Sequence, residues 1–494
     1  MRTATATLCC LLLATPAFAQ GKDNLTVDLP NDVSTMDPHL QSDTDSYSVY
    51  RNIFDTLIDT DPSGKIVPAL ATGWHYADDT TIVFDLRTDV TWQDGSKFTA
   101  DDVAFSVKRI TDPATKSSQL SQLDQIVGAE VTGPAQVTLH TKAAWPVLLK
   151  QARNLTIVPK AYIEKVGAPA FNQQPIGTGP FRMRSWQRGV QSVLEAYDAS
   201  WRGVPPFRTV TFRAVPDSST RVADLRAGRA DINRQMTPDD AAAVKADPNL
   251  QVLWVATERT GYLFLNAQWG PTKDVRVRQA IAMGIDRDTI ISALLQGYAK
   301  PVTILLTPVS FGYQPDIKPW PYDPAKARAL VKEAGAEGQK LIFLNSPAYD
   351  RRITEAIQQM VTDIGLTVEI KEVDMATYLR LRQGAPDGAG NLAQGRWSCA
   401  CADADGVIWP LFHTGSLWAK YSNAEFDRAV DAARGSLDEK KRMESYHRAY
   451  EILRDEVPAL PLYQDAAIYG ARKELKWTPQ PNEAFFVKDM RWQL

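Results

Sequence analysis

Residues 396–412 read Arg-Trp-Ser-Cys-Ala-Cys-Ala-Asp-Ala-Asp-Gly-Val-Ile-Trp-Pro-Leu-Phe, gathering two Trp, one Phe, one Arg, two Cys and two Asp beside a short strand-like stretch. Aromatic walls with a few charged groups are what a specific pocket for a polar solute requires. A buried strand followed by an ordinary loop would use the same residues without a ligand. Within the run, Cys401-Ala-Asp-Ala-Asp-Gly406 matches a calcium loop at its third, fifth and sixth positions. Cys401 replaces the first ligand of such a loop, however, and Phe412 stands where its closing Glu belongs, so no calcium is expected. Cys399 and Cys401 are two residues apart, which in a regular strand puts them near the upper limit of disulfide Cα separation. A bridge there needs a bulge or turn, and the alternative is two reduced, buried small hydrophobes. Arg351-Arg352 offers planar guanidinium groups suited to a carboxylate or phosphate, although adjacent arginines at a helix start are equally at home in solvent.

Templates for catalysis fail in turn. Gly177-Thr-Gly179 begins like a dinucleotide loop, but Arg182 occupies the third glycine position and Pro180 disfavours entry into a helix. No phosphate loop, Gly-x-Ser-x-Gly elbow or His-Glu-x-x-His helix is present. The five histidines, His39, His75, His140, His413 and His447, are scattered without ligand spacing. Neither an enzyme, a metal site nor a cofactor is expected.

The chain has 494 residues and a formal net charge of −3. Chains beyond about 250–300 residues usually divide into domains, so at least two lobes are expected. Near-neutral charge without a long basic run gives no reason to expect nucleic acid or an anionic membrane surface as partner. The N-terminus reads as a secretory signal over residues 1–19: Arg2, an apolar run from Leu8 to Ala14, and Ala17-Phe18-Ala19 as a small-x-small cleavage site before Gln20. That run is too short to span a bilayer. Cys9 and Cys10 lie inside the run, not after it, which argues against a lipid anchor.

Strand-like alternation recurs at Thr81–Arg87, Val137–His140, Val190–Glu195 and Leu341–Leu344, separated by helical stripes such as Ala325–Ala334, Ile353–Ile364, Asp427–Ala433 and Lys440–Leu453. The fold class is therefore mixed α/β. The stretch 274–301 encodes a helix pair. Asp274 caps a first helix with Val277, Ile281, Gly284 and Ile285 on one face and its arginines directed elsewhere. Asp286 starts a second, with Ile290, Ile291, Leu294 and Leu295 as the buried stripe and Gly297 at a C-terminal position of positive φ.

That helix pair resembles a signature block of the extracellular solute-binding proteins of the peptide, opine and nickel class (bacterial extracellular solute-binding protein family 5, dipeptide/oligopeptide-binding type) that feed ABC importers. Further matches run in family order: Thr35-Met-Asp-Pro-His39, Phe54-Asp-Thr-Leu-Ile58, Pro68-Ala-Leu-Ala-Thr-Gly-Trp74, Trp92-Gln-Asp-Gly95, Phe98–Val103, Pro175-Ile-Gly-Thr-Gly-Pro-Phe181 and Tyr322–Val331. The resemblance implies a two-lobed periplasmic binding protein of Venus-flytrap type with an extra subdomain on the first lobe. Residues 20–62, 175–266 and 465–494 would form lobe I, residues 63–174 its appended subdomain, and residues 267–464 lobe II. The implied role is capture of a small polar solute, peptide or peptide-like, opine or sugar-phosphate conjugate, for an inner-membrane ABC permease. The implied state is a monomer in the periplasm of a Gram-negative bacterium. A secreted hydrolase using the same cleft, or a sensory docking protein, is the alternative.

In peptide-binding relatives the strand that corresponds to Arg396–Cys399 lies at the cleft. The resemblance thus implies a ligand set of Arg396, Trp397, Ser398, Cys399, Asp403, Asp405, Arg351 and Arg352, with Thr44 from the first strand-to-helix region. Peptide binders place an Asp three residues after the Trp to hold the ligand's α-amine, and Ala400 stands there in this chain. Peptides with a free N-terminus are then expected to bind weakly, and recognition to rest on Trp397, Arg396 and Arg351 or Arg352, with an anionic group on the ligand. The cleavage motif yields a direct test: protein recovered after export should begin at Gln20 by intact-mass analysis, and retention of Met1 in the exported pool would refute the signal assignment.

Overall fold

The computed structural model describes residues 23–41, 43–61, 65–399 and 401–493. Its backbone is one mixed eleven-stranded sheet. The two halves of that sheet are joined through a pair of long antiparallel strands, Leu250–Leu265 and Ala459–Arg472. The first is rich in β-branched and aromatic residues, which suit a pleated, half-buried surface. The C-terminal part of the first, Thr260–Leu265, pairs with Leu392–Trp397, which continues through Lys340–Asn345 to Thr367–Glu372. The C-terminal part of the second pairs with Ile232–Arg234, followed by Asn24–Leu29, Thr209–Ala214, Gln191–Ala196 and Phe181–Gln187. Each half buries its own apolar cluster, around Ile281, Phe343 and Ile357 on one side and around Phe54, Phe181 and Phe212 on the other.

A separate four-stranded antiparallel sheet, in the order Ala71–Asp78, Thr81–Leu86, Gln136–Thr141 and Ile126–Gly133, forms the appended unit. The helix Ala100–Thr111 covers it with Val103, Val107 and Ile110. Gly177 and Gly179 join this unit to the main sheet. A Cβ at Gly179 would stand 2.7 Å from the carbonyl oxygens of Asn52 and Ile53, so these glycines allow backbone to lie against backbone.

The block at residues 274–301 departs from its expected form in two places. Asp274 caps the helix Val275–Gly284 as expected, and Arg276 turns outward to pair with it. Arg278 instead is buried and donates to the carbonyls of Thr272, Lys273 and Glu456, using several of its five N–H groups to satisfy loop and helix-end oxygens. After Asp286 the α-helix lasts only Arg287–Thr289 and widens into a π-turn over Ile290–Leu294. Ile290 alone of the expected stripe is fully buried, while Ile291, Leu294 and Leu295 are partly so. Gln296 and Gly297 both take positive φ, which redirects the chain at the end of the turn.

His39 ties the appended unit to the main sheet. Its Nε2 lies 2.8 Å from the Thr156 carbonyl, and its Nδ1 lies 2.9 Å from Arg109, which also binds Asp37. Because Arg109 can only donate, Nδ1 accepts and Nε2 carries the proton, so the ring is neutral. Burial drives its pKa down from 6.5 to about 4, with Arg109 adding to the effect and Asp37 opposing it. A base whose folded pKa is depressed binds fewer protons folded than unfolded. Stability is therefore full above pH 6.5 and falls as pH drops toward 4, by about 3 kcal/mol at the limit. His39→Gln should flatten this part of the stability profile in denaturant titrations between pH 7 and 4; an unchanged slope would contradict the neutral-ring assignment.

Candidate functional site

The ladder between the two long strands slips in register between Ala256 and Thr260, so that Thr257-Glu258-Arg259 bulges opposite Asp465. The bulge is buttressed from within. Gln464 Nε2 donates to the Thr257 carbonyl at 2.7 Å, and the Thr257 hydroxyl donates to the Asp465 carbonyl at 3.1 Å. Bulges raise local twist and re-aim side chains, and here Glu258, Arg259 and Asp465 are sent into a cleft between the two halves. A cavity of about 870 Å³ runs along it, lined among others by Thr44, Arg234, Arg259, Arg396, Asp465 and Glu483. A second, of about 240 Å³, shares Thr44 and Arg259 and adds Tyr47, Arg153, Glu258 and Ser398. These volumes suit a ligand of small-peptide size.

The cleft carries both charge signs in pairs. Arg234 contacts Asp45 and lies 3.5 Å from Glu483, which Arg259 also engages at 2.9 Å. Arg153 holds both oxygens of Glu258 at 3.2 Å. Arg396 reaches Asp465 at 3.3 Å, with its guanidinium carbon 5.7 Å from the centre of the Tyr349 ring. Burial weakens the Arg396 charge, but Asp465 and the neighbouring tyrosines outweigh it and raise its pKa. For Asp465 burial dominates, pushing its carboxyl up against the opposing pull of Arg396.

Three of the residues singled out from sequence reach this region. Thr44 opens the helix Thr44–Tyr50, and its hydroxyl accepts from Arg259 at 3.3 Å. Arg396 lines the larger cavity and Ser398 the smaller. Arg352 lines neither cavity; it is half-exposed and pairs with Asp350 at 2.7 Å and with Asp239 at 3.7 Å. Arg351 is exposed and paired with Glu355 and Glu372. The Trp397 ring turns into the Leu392–Trp397 side of the structure, donating to the Gly406 carbonyl at 2.9 Å and meeting Trp418 edge-on.

The two aspartates are sequestered. Asp403 is 1% exposed and receives Arg442 at 2.8 and 2.9 Å together with the Tyr446 hydroxyl at 3.1 Å. Asp405 starts the helix Asp405–Phe412 and lies 3.3 Å from Arg434. Burial raises its pKa to about 6, with Arg434 opposing and Asp403 contributing. Cys399 and Cys401 are joined in a disulfide with Cα atoms 5.0 Å apart, packed on Gly406, where any Cβ would collide with the sulfurs. Ala402 takes the positive φ that turns this loop, and its carbonyl accepts from Phe311 N and from Lys150 Nζ, the latter reaching from the appended unit at 2.8 Å. Ala400 lies outside the described residues, as do residues 1–22 with their expected signal.

Asp45, Arg153, Arg234, Glu258, Arg259, Asp465 and Glu483 were not anticipated from sequence. Their one local signal is Glu258-Arg259, a charged pair interrupting an otherwise β-prone run from Val252 to Leu265. Among the described residues no helix is long and apolar enough to cross a membrane, and no group of three potential metal ligands converges.

The family model for bacterial extracellular solute-binding proteins, family 5 (middle region), matches residues 65–418. A dipeptide-binding protein of Escherichia coli (strain K12) is 30% identical over 471 residues, 88% of this chain and 87% of that protein. The glutathione-binding protein GsiB of Salmonella choleraesuis (strain SC-B67) is 29% identical over 485 residues, 94% and 93% respectively. The ABC transporter-associated periplasmic binding protein DppA from Helicobacter pylori, solved in complex with the peptide STSA, superposes with a TM-score of 0.79 at 24% identity over 96% of this chain and 99% of its own, and shares the two-lobed fold. With a paired-charge cleft at the crossing of two lobes and a family match over most of its length, the chain belongs to the family 5 bacterial extracellular solute-binding proteins, the substrate-binding class of ABC importers.

Proposed function

We propose that this protein is a monomeric periplasmic receptor that closes its two lobes around a peptide of two or three residues and presents it to an ABC permease of a Gram-negative bacterium. The carrying observation is the charge-paired cavity of about 870 Å³ at the register slip of the crossing strands. A zwitterionic peptide fits a site that holds both signs in place, since each terminus meets a preformed partner. The strand Leu392–Trp397 supports main-chain recognition. Lys340–Asn345 pairs only with its Leu392 and Ala393, and among the described residues no strand covers the edge beyond Ala393. A peptide backbone can extend such an edge by strand addition. The dipeptide- and glutathione-binding names of two relatives point to the same ligand class.

In this reading residues 20–62, 175–266 and 465–494 form lobe I, 63–174 its subdomain and 267–464 lobe II, with the pivot at Thr257–Arg259 and Asp465. Thr44 and Arg259 face the ligand from one lobe, Arg396 and Ser398 from the other. Asp403, Asp405 and the disulfide shape the loop behind them. A ligand bridging both lobes shifts the hinge equilibrium toward closure. Bound solute leaves chemically unchanged, because among the described residues the cleft is built of ion pairs and neither cavity is lined by a histidine or cysteine to act as base or nucleophile.

Against the expectation of weak binding drawn from Ala400, titration calorimetry against unblocked di- and tripeptides, glutathione included, should give dissociation constants of about 1 μM or tighter, about −8 kcal/mol. X-ray scattering should show a smaller radius of gyration at saturation. Absence of binding across the panel, or binding without compaction, would overturn the reading.

A further inference from the structure

The cleft carboxylates differ in how fully they are satisfied. Glu258 is held through both oxygens by one guanidinium. Asp45 and Glu483 share Arg234, and Glu483 also has Arg259. Asp43 caps its helix, accepting from Ser46 N at 2.8 Å and from the Ser46 hydroxyl at 3.0 Å, and Asp32 accepts from Gly189 N at 2.7 Å. Asp465 has its own neighbour's amide, Ala466 N at 3.0 Å, and a single N–H of Arg396 at 3.3 Å. A carboxylate offers about four acceptor positions, so Asp465 keeps unused capacity while lining the larger cavity. Its cation partner is loosely committed, since the Arg396 side chain is 41% exposed and also lies over Tyr349.

We propose that Asp465 is the anchor for a positive charge on the ligand, and that the solute is therefore one bearing a free ammonium group, such as the unblocked N-terminus of a peptide. The inference rests on the peptide-receptor reading and adds the specificity-determining residue. An ammonium brings three donors to a carboxylate with vacant acceptors, and Arg396 then swings from Asp465 toward a carboxylate or carbonyl of the same ligand. The pair seen here holds the site in register until the ligand divides it. Burial already disfavours the Asp465 charge despite Arg396, so a second cation relieves an existing cost. Because Asp465 stands opposite the bulge Thr257–Arg259 and accepts from the Thr257 hydroxyl through its carbonyl, the anchored charge sits at the pivot, where both lobes can reach the remainder of the ligand.

The test uses a synthetic tripeptide library, free and N-acetylated, with captured species read by native mass spectrometry on the wild-type protein and on Asp465→Asn. Wild type should capture free members at least about 10-fold better than acetylated ones. The isosteric variant should lose about 10- to 150-fold on free members, the range for one charge-assisted hydrogen bond, and with it the preference for a free amine. Equal capture of both forms by wild type overturns the proposal with no need of a variant, and so does a folded Asp465→Asn protein that still prefers free amines. In both cases the peptide-receptor reading stands. Wild type capturing neither form refutes that reading, and the anchor with it.

Discussion

The hydrogen-bond ladder between Leu250–Leu265 and Ala459–Arg472 is what makes one object of this chain. A ladder resists stretching and shear but tolerates twist, and its weakest point is where the register slips. Placing that slip at Thr257–Arg259 gives the two halves a shared axis with no flexible linker. The same slip frees side chains to point into the space the halves enclose. In the proposed reading, hinge and recognition surface are built from the same few residues, and mobility at the one is inseparable from charge placement at the other.

Charge in the cleft is arranged to be inexpensive until it is used. Isolated buried ions are costly, and ion pairs between well-placed partners lessen that cost without adding much stability. Arg153 with Glu258 is a closed unit and Arg234 is shared by Asp45 and Glu483, whereas Arg396 meets Asp465 through one contact and is open to solvent on the arginine side. A site with graded commitment discriminates more sharply than a uniformly charged one, because a ligand gains most where the protein is least satisfied and loses most where it would break a closed pair. The loop that follows Leu392–Trp397, pinned by the disulfide and by Asp403 with Arg442, supports Arg396 and Ser398 without lining either cavity.

What could be read from the chain depended on how local its cause was. The helices 324–333, 351–363, 424–434 and 439–456 and the strands near residues 81, 137, 191 and 341 follow from apolar periodicity and caps, and they appear close to where the pattern puts them. The segment after Asp286 does not, because its π-turn answers to packing on residues far along the chain. The same holds within the site. Arg396 and Ser398, at the end of the strand Leu392–Trp397 and just beyond it, were singled out beside Trp397 and line the two cavities. Asp403 and Asp405 looked like ligand groups until Arg442 and Arg434, some 39 and 29 positions away, were seen to claim them. Asp465 carried no local signal: its meaning comes from a register slip against a strand two hundred residues earlier.

One feature of connectivity governs how such a molecule comes into being. The strand Asn24–Leu29 takes its two neighbours from Thr209–Ala214 and Ile232–Arg234, and the latter waits for Ala459–Arg472. Asn52 is satisfied by Phe485 and Val487, partners 433 and 435 positions downstream. Contacts this distant demand loop closure before they return any stabilisation, which slows folding. The first half of the sheet can therefore reach its final form only once nearly the whole chain has emerged. A nascent polypeptide built this way keeps that half of its sheet incomplete through most of its synthesis, so the order in which strands are made is not the order in which they are fixed.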